Sequence, residues 1–216
     1  MAKRSYNQYC GLAVALDLLG ERWSLLLLRN LLLGPQRFKD LLDGLPGIGT
    51  GLLTDRLKQL ETAGVITRVT LPPPAASTVY QLTADGEELR PVLVGLAHWG
   101  LARLGEPTDQ QFISPDLLAL GLQARFDPDA ARAANGVYAL HIGEHAYRVD
   151  IDGGNIRVRA TTSESPRVSI VTDTSTLVGI NSGTLSLADA LGAGKLTVTG
   201  EAEAVPALAS VFGLSL

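Results

Sequence analysis

The stretch GIGTGLLTDRLKQLETAG, residues 47–64, decides the fold of the first half of this chain. Leu53, Leu57 and Leu60 recur at the spacing of one face of an α-helix, and Leu52 widens this apolar stripe. The opposite face carries small or polar residues, namely Thr50, Gly51, Thr54, Asp55, Lys58 and Thr62. Such a helix is either an ordinary amphipathic surface helix or one whose polar face enters the major groove of DNA.

The segments on either side of this stretch predict a larger motif. Residues 37–42 form a short amphipathic helix, and the turn 44–47 joins it to the next helix. Residues 65–70 and 78–82 alternate and are rich in β-branched side chains, so they predict two strands around the proline-rich segment 72–77. This order of helix, turn, helix and hairpin is that of a winged helix-turn-helix, whose second helix enters the major groove.

Several motifs follow one another along residues 1–105. They include Leu16-Asp17-Leu18-Leu19-Gly20-x-Arg22-Trp23, Leu33-Gly34-Pro35-x-Arg37-Phe38, Leu53-Thr54-x-Arg56-Leu57-x-x-Leu60-Glu61 and Tyr80-x-Leu82-Thr83-x-x-Gly86. Together they resemble the HxlR-type winged-helix transcriptional regulators, which implies a DNA-binding and dimerisation domain over residues 1–105. The chain has Gly49 and Gly51 where the family usually has a serine and a basic residue, and Asp55 where a neutral amide is common.

The pattern and the resemblance together give eight candidate DNA contacts. They are Arg37, Lys39, Thr50, Gly51, Thr54, Arg56, Lys58 and Arg68. We expect the short side chains at the start of the helix to approach base edges. Arg56 and Lys58 would either contact phosphates or support the helix, and Arg68 in the wing would reach the DNA backbone or minor groove.

A second apolar stripe follows the predicted wing. It consists of Leu89, Val92, Leu93, Leu96 and Leu104. The resemblance implies a homodimer formed through this helix and the N-terminal helix at residues 12–19. A two-fold dimer would present two recognition helices to a palindromic operator in double-stranded DNA, with half-sites about one duplex turn apart. The alternative is that the stripe packs against the second half of the chain.

Cys10 is the one cysteine in the sequence and has two interpretations. In the resembled family a cysteine near this position can sense oxidants or electrophiles, and nearby basic residues and a helix start favour the reactive thiolate. The alternative is a small hydrophobe buried at a dimer contact.

Charge is divided unevenly along the chain. Residues 1–105 contain 11 basic and 9 acidic residues, whereas residues 106–216 contain 7 and 13. This asymmetry is typical of a chain in which one half binds nucleic acid. The sequence has no apolar run long enough to span a bilayer and no secretory signal. We therefore expect a cytoplasmic protein that does not bind membranes.

The sequence motifs that could indicate a catalytic or metal site are incomplete. His141 and His145 flank a predicted hairpin turn, and no acid or cysteine completes a metal site around them. Residues 179–183 place their serine one position too late for a nucleophile elbow. We expect no metal, no cofactor and no enzymatic activity.

The polar segment 106–111 predicts a linker, after which the pattern changes. We expect helices at 117–125 and 127–134, and then a meander of four strands at 136–142, 146–151, 156–160 and 167–172. Two short helices (174–181 and 185–191), a fifth strand (195–199) and a terminal helix (201–212) complete the prediction. The fold class is therefore α+β, with a winged helix-turn-helix followed by a domain with a five-stranded sheet.

Motifs in the second half carry another resemblance. They are Asp173-x-x-x-Leu177, Leu187-x-x-Ala190, Gly194-Lys195-Leu196-x-Val198-x-Gly200 and the apolar tail 205–214. Residues 112–216 resemble the sterol-carrier-protein-2-like (SCP2-like) domain, which implies a curved sheet and helices around a tunnel for a hydrophobic small molecule. Candidate ligand contacts are Leu177, Leu191, Leu208 and Phe212. The alternative is a scaffold or dimerisation domain with a filled core.

Two functions follow from these expectations. The first is a dimeric, sequence-specific DNA-binding transcriptional regulator, a repressor, that responds to an apolar ligand in its second domain. The alternative is a lipid-carrier-like or protein-interaction module with weak or no specific DNA binding.

Overall fold

The computed structural model describes residues 5–73 and 76–214 and divides the chain into two compact units, Met1–Leu93 and Val94–Leu216. Pro74 and Ala75, in the predicted wing loop, lie outside the described residues. The domain limits 1–105 and 112–216 stay predictions. Within the described part of the chain, no helix is both long enough and apolar enough to cross a membrane.

The first unit is a winged helix-turn-helix, as the order of its elements shows. These are α1 (Gly11–Leu19), α2 (Ser24–Leu31), β1 (Gln36–Arg37), α3 (Phe38–Asp43), α4 (Thr50–Thr62), β2 (Ile66–Thr70), β3 (Thr78–Leu82) and α5 (Ala84–Glu87). Helix α6 (Arg90–Leu101) begins in this unit. The three strands are antiparallel in the order β1-β3-β2. The predicted wing is confirmed, whereas β1 was not predicted because two residues carry no periodic signal.

The core of the first unit forms around α4. Leu53, Leu57 and Leu60 are buried, as their helical spacing predicted, and several leucines of α2, α3 and the turn after α3 are buried as well. Leu52 is 37% exposed, so the buried stripe is narrower than predicted. Each residue of an α-helix is turned by about 100° from the one before it, so Leu52 points away when Leu53 faces the core.

Helix α5 is fixed to the start of β2 through Thr83. The Thr83 hydroxyl accepts a hydrogen bond from the Gly86 amide (3.0 Å), and the Thr83 amide donates to the Val65 carbonyl (3.1 Å). Gly86 is buried directly beside this carbonyl, since a Cβ at Gly86 would lie 2.0 Å from the Val65 oxygen. This close approach explains why the motif requires glycine here.

The second unit is an α+β domain. After α7 (Pro115–Arg125) and a 3-10 turn (Ala130–Ala133) come β4 (Gly136–Ile142), β5 (His145–Asp152), β6 (Asn155–Arg159), β7 (Val168–Thr172), α8 (Thr174–Ser182), α9 (Leu187–Gly192), β8 (Thr197–Gly200), a 3-10 turn (Ala202–Ala204) and α10 (Val205–Val211). The five strands lie in the order β6-β5-β4-β7-β8. The predicted α+β fold with a five-stranded sheet is confirmed.

The predicted meander is wrong, because β7 pairs in parallel with β4 instead of following β6. In β4 the consecutive residues Tyr138, Ala139 and Leu140 are all buried, which is typical of a central strand. In β6 only Val158 is buried, which is typical of an edge strand. The segment between β6 and β7 therefore returns the chain to the middle of the sheet.

Two tyrosine hydroxyls link the sheet to neighbouring segments through hydrogen bonds. The Tyr147 hydroxyl donates to Oδ1 of Asp116 at the start of α7 (2.6 Å), and the Tyr138 hydroxyl donates to the Ala134 carbonyl (2.7 Å). Burial is the main reason that the pKa of Tyr147 is raised, and the Asp116 carboxylate raises it further. Both tyrosines stay neutral, so each remains a hydrogen-bond donor that fixes the sheet.

We predict that Gly86→Ala lowers the free energy of unfolding by about 1–3 kcal/mol, because the new methyl group would overlap the Val65 carbonyl. Chemical denaturation followed by circular dichroism measures this change. Gly51→Ala is the matched control, since nothing lies within 4 Å of a Cβ at that position. Equal stability of the two variants would contradict the proposed contact.

Candidate nucleic-acid interface and apolar cavity

The exposed face of α4 carries short polar side chains at its start and a lysine in its second half. Thr50, Gly51, Thr54 and Lys58 are all exposed, opposite the buried leucines. The Thr54 hydroxyl donates to the Thr50 carbonyl (2.9 Å), which turns the hydroxyl towards the helix backbone. Asp55 is also exposed on this helix and reduces its positive charge. This face of α4 therefore consists mainly of short side chains and is only weakly basic.

Arg56 lies apart from this face. Its side chain is only 13% exposed, and its Nη2 forms an ion pair with Oε2 of Glu21 at 3.0 Å. It also donates to the side-chain oxygen of Gln59, one turn further along α4. Glu21 lies in the connection between α1 and α2, so this ion pair joins the recognition helix α4 to that connection. Of the two predicted roles, phosphate contact or helix support, the geometry matches support.

The turn between α3 and α4 is held by Asn30, a role that was not predicted from the sequence. Asn30 is buried in α2 and its side-chain amide donates to the Gly44 carbonyl (3.4 Å). Its Oδ1 accepts two hydrogen bonds from Arg29, from Nε at 3.0 Å and Nη2 at 2.8 Å. Burial lowers the pKa of Arg29 from its ordinary value. In the sequence, Asn30 is a single amide within a run of leucines. Hydrophobic periodicity alone does not assign a role to such a residue.

Trp23 borders the same turn. It has a left-handed backbone conformation with φ of 84° at the N-terminus of α2, which is rare for a bulky residue. A Cβ at Gly47 would lie 3.7 Å from its ring, so the indole contacts the turn before α4. Trp23 therefore packs against this turn, although it is only half-buried.

Three further basic candidates are exposed. Arg37 and Lys39 lie at the start of α3, where the Arg37 amide donates to Oδ2 of Asp40 (3.0 Å). Arg68 lies on β2 in the wing, with its side chain 57% exposed and its Nε 3.9 Å from a carboxylate oxygen of Glu61. All three side chains remain available to a partner on the same unit as α4.

Helix α1 presents an unusual apolar surface. Leu12, Val14 and Leu16 are all exposed, and Cys10 at the N-terminus of the helix is exposed as well. Val92, Leu96 and Trp99 are exposed on α6. The interpretation of Cys10 as a buried hydrophobe therefore requires a partner chain.

An apolar cavity of about 100 Å³ lies in the second unit, between the sheet and helices α7 to α10. All four candidate ligand contacts, Leu177, Leu191, Leu208 and Phe212, line it. Arg125 and Asn181 also line it, and Nη2 of Arg125 donates to the Asn181 carbonyl at 3.1 Å. Arg125 was not predicted as a cavity residue, because a basic residue in the last turn of a helix is usually a solvated partner of the helix dipole.

Comparison with known proteins adds family relationships to this geometry. Residues 117–213 match the family model of the SCP-2 sterol transfer family. A solved structure of Sterol Carrier Protein 2 Like 2 from Aedes aegypti is 27% identical, with a TM-score of 0.37, and the match covers 44% of this chain and 90% of that one.

The first part of the chain matches a different family and its curated relatives. An HTH-type transcriptional regulator of Synechocystis sp. is 45% identical over 91 residues, which are 42% of this chain and 67% of the relative. The HTH-type transcriptional regulator YodB of Bacillus subtilis is 36% identical over 85 residues, which are 39% of this chain and 76% of the relative. Residues 18–107 match the family model described as HxlR-like helix-turn-helix. The chain therefore belongs to the HxlR-like helix-turn-helix family.

Proposed function

We propose that this protein is a dimeric, sequence-specific DNA-binding transcriptional regulator, a repressor, whose DNA affinity responds to a small molecule in the cavity of its second unit. The observation that carries the proposal is the orientation of α4. Its leucine face is buried and its short polar face is exposed, and the basic residues of α3 and the wing in the same unit are exposed as well. The family relatives named above are themselves HTH-type transcriptional regulators.

In this proposal α4 lies in the major groove. Thr50, Gly51 and Thr54 approach base edges, since short side chains allow the helix backbone to come close to the bases. Lys58 contacts a phosphate from the same face, and Arg37 and Lys39 provide further phosphate contacts from α3. Arg68 reaches the backbone or the minor groove from the wing. Arg56 contacts no DNA and positions α4 through Glu21.

Two copies of the chain form the binding unit. The exposed apolar residues of α1 and α6 would otherwise remain in water, and burying them in a two-fold interface is favourable. A two-fold dimer places two α4 helices in successive major grooves of a palindrome. Cys10 lies at the N-terminus of α1, so a modified thiol there would act directly on this interface.

The second unit contains a connection between the cavity and α6. Nδ1 of His98, on α6, lies 2.8 Å from the Ala124 carbonyl, so Nδ1 carries the proton and donates. Ala124 precedes Arg125, which lines the cavity, on α7. A ligand that displaces α7 would therefore act on the helix assigned to dimerisation. Such a switch requires that the ligand bind the DNA-competent and DNA-incompetent states with different affinity.

Fluorescence anisotropy on the DNA upstream of the protein's own gene tests the proposal. We expect tight binding to this DNA, with an affinity that falls steeply as the salt concentration rises. The affinity should also exceed that for an unrelated duplex of equal length. Equal affinity for both duplexes would contradict sequence-specific regulation and favour the lipid-carrier-like or protein-interaction module.

We predict that Lys58→Ala weakens DNA binding and reduces the slope of log K against log salt by about 2 per dimer, one for each lost phosphate contact. Lys195→Ala removes the same charge from an exposed position in the second unit and serves as the control. The same slope for both variants would contradict a phosphate contact by Lys58.

We predict that Arg56→Met lowers the free energy of unfolding by roughly 0.5–3 kcal/mol and leaves the salt slope of DNA binding unchanged. The reason is that the guanidinium binds Glu21 within the chain and neutralises no phosphate. Thermal denaturation and salt-dependent anisotropy measure the two effects. A reduced salt slope in the folded variant would assign Arg56 to the DNA contacts.

We predict that Leu12→Glu converts the dimer into monomers, because the carboxylate would be buried at the interface of α1. Leu12 is 69% exposed in the single chain, so the substitution leaves the monomer fold intact. Val171→Glu is the control, since Val171 is also exposed, at 47%, on the sheet of the second unit. Sedimentation velocity measures the oligomeric state of both variants. A dimer of Leu12→Glu would contradict the proposed interface.

A further inference from the structure

The cavity of the second unit combines an apolar wall with one cationic group. Its described lining is aliphatic or aromatic apart from Arg125 and Asn181. The two polar residues are joined, since Arg125 Nη2 donates to the Asn181 carbonyl, so the guanidinium lies at the cavity wall. A ligand in this cavity therefore meets hydrocarbon on most sides and a positive charge at one place.

The charge of Arg125 is not neutralised by its surroundings. Its guanidinium donates to a neutral backbone carbonyl, and none of the ion pairs among the described residues involves it. A guanidinium has five N–H donors, and the bond to Asn181 uses one of them. The remaining donors suit a carboxylate, which an arginine binds through two parallel, charge-assisted hydrogen bonds.

The size of the cavity limits the apolar part of the ligand. Its volume of about 100 Å³ is comparable to the ~150 Å³ of an apolar protein cavity that holds one benzene. One aromatic ring or a short alkyl chain fits this space. A long acyl chain or a four-ring sterol would require the walls to move apart, which costs packing energy.

We propose that the ligand of the second unit is a small organic acid, with one ring or a short alkyl chain as its body and a carboxylate bound to Arg125. The inference deepens the proposed function, on which it rests for the link to DNA. Arg125 is then the residue that selects acids over neutral molecules of the same shape.

Isothermal titration calorimetry on the full chain tests this with matched probes, 4-ethylbenzoate and 4-ethylbenzyl alcohol. We expect the acid to bind roughly 10- to 100-fold more tightly than the alcohol, the range expected for a hydrogen-bonded charge. In Arg125→Gln this ratio should fall to about 1, and Arg125→Lys should restore part of it. Arg132→Gln, at a side chain that is 83% exposed on the nearby 3-10 turn, should leave the ratio unchanged.

The ratio is measured within each variant, so a general loss of stability in Arg125→Gln does not imitate the expected result. Equal binding of acid and alcohol by the wild-type chain would overturn the role of Arg125. Binding of palmitate in preference to 4-ethylbenzoate would overturn the size limit. Acid binding that depends on Arg125 but leaves DNA affinity unchanged would support this inference and contradict the ligand response in the proposed function.

Discussion

The burial of one face of α4 is the constraint on which the first unit depends. Leu53, Leu57 and Leu60 lie in the core, so the helix cannot rotate about its axis without exposing them. Removing a leucine from such a position typically costs 2–5 kcal/mol. This energy fixes which residues of α4 face outward. The polar face is therefore set by hydrophobic packing and does not depend on a bound partner.

Three contacts then fix α4 relative to the rest of its unit. The Arg56–Glu21 ion pair holds the middle of the helix, the Asn30–Gly44 hydrogen bond holds the preceding turn, and the Trp23 ring lies beside Gly47. All three involve α2 or the α1–α2 connection. The exposed apolar residues of α1 and Cys10 are thus close in sequence to the groups that orient α4.

Much of this architecture follows from local sequence patterns, and the remainder depends on contacts between distant residues. The leucine spacing predicts α4, and β-branched alternation predicts β3 with the bounds that the structure gives it, Thr78–Leu82. Helix support was one of the two roles predicted for Arg56, but its partner Glu21 was not predictable, because the two residues are 35 positions apart in the sequence. The parallel pairing of β7 with β4 was missed for the same reason, since adjacency in sequence favours a meander. The apolar residues of the cavity could be selected by their helical periodicity, whereas Arg125 resembled an ordinary helix-terminal cation.

The proposed function depends on a dimer that places two α4 helices in successive major grooves. Dimethyl sulfate protection on the bound DNA tests it most directly, because the reagent methylates guanine N7, which lies in the major groove. We expect two protected clusters related by two-fold symmetry and centred about 10–10.5 base pairs apart. Unprotected guanines at a site that the protein demonstrably binds, or a single protected cluster, would contradict it.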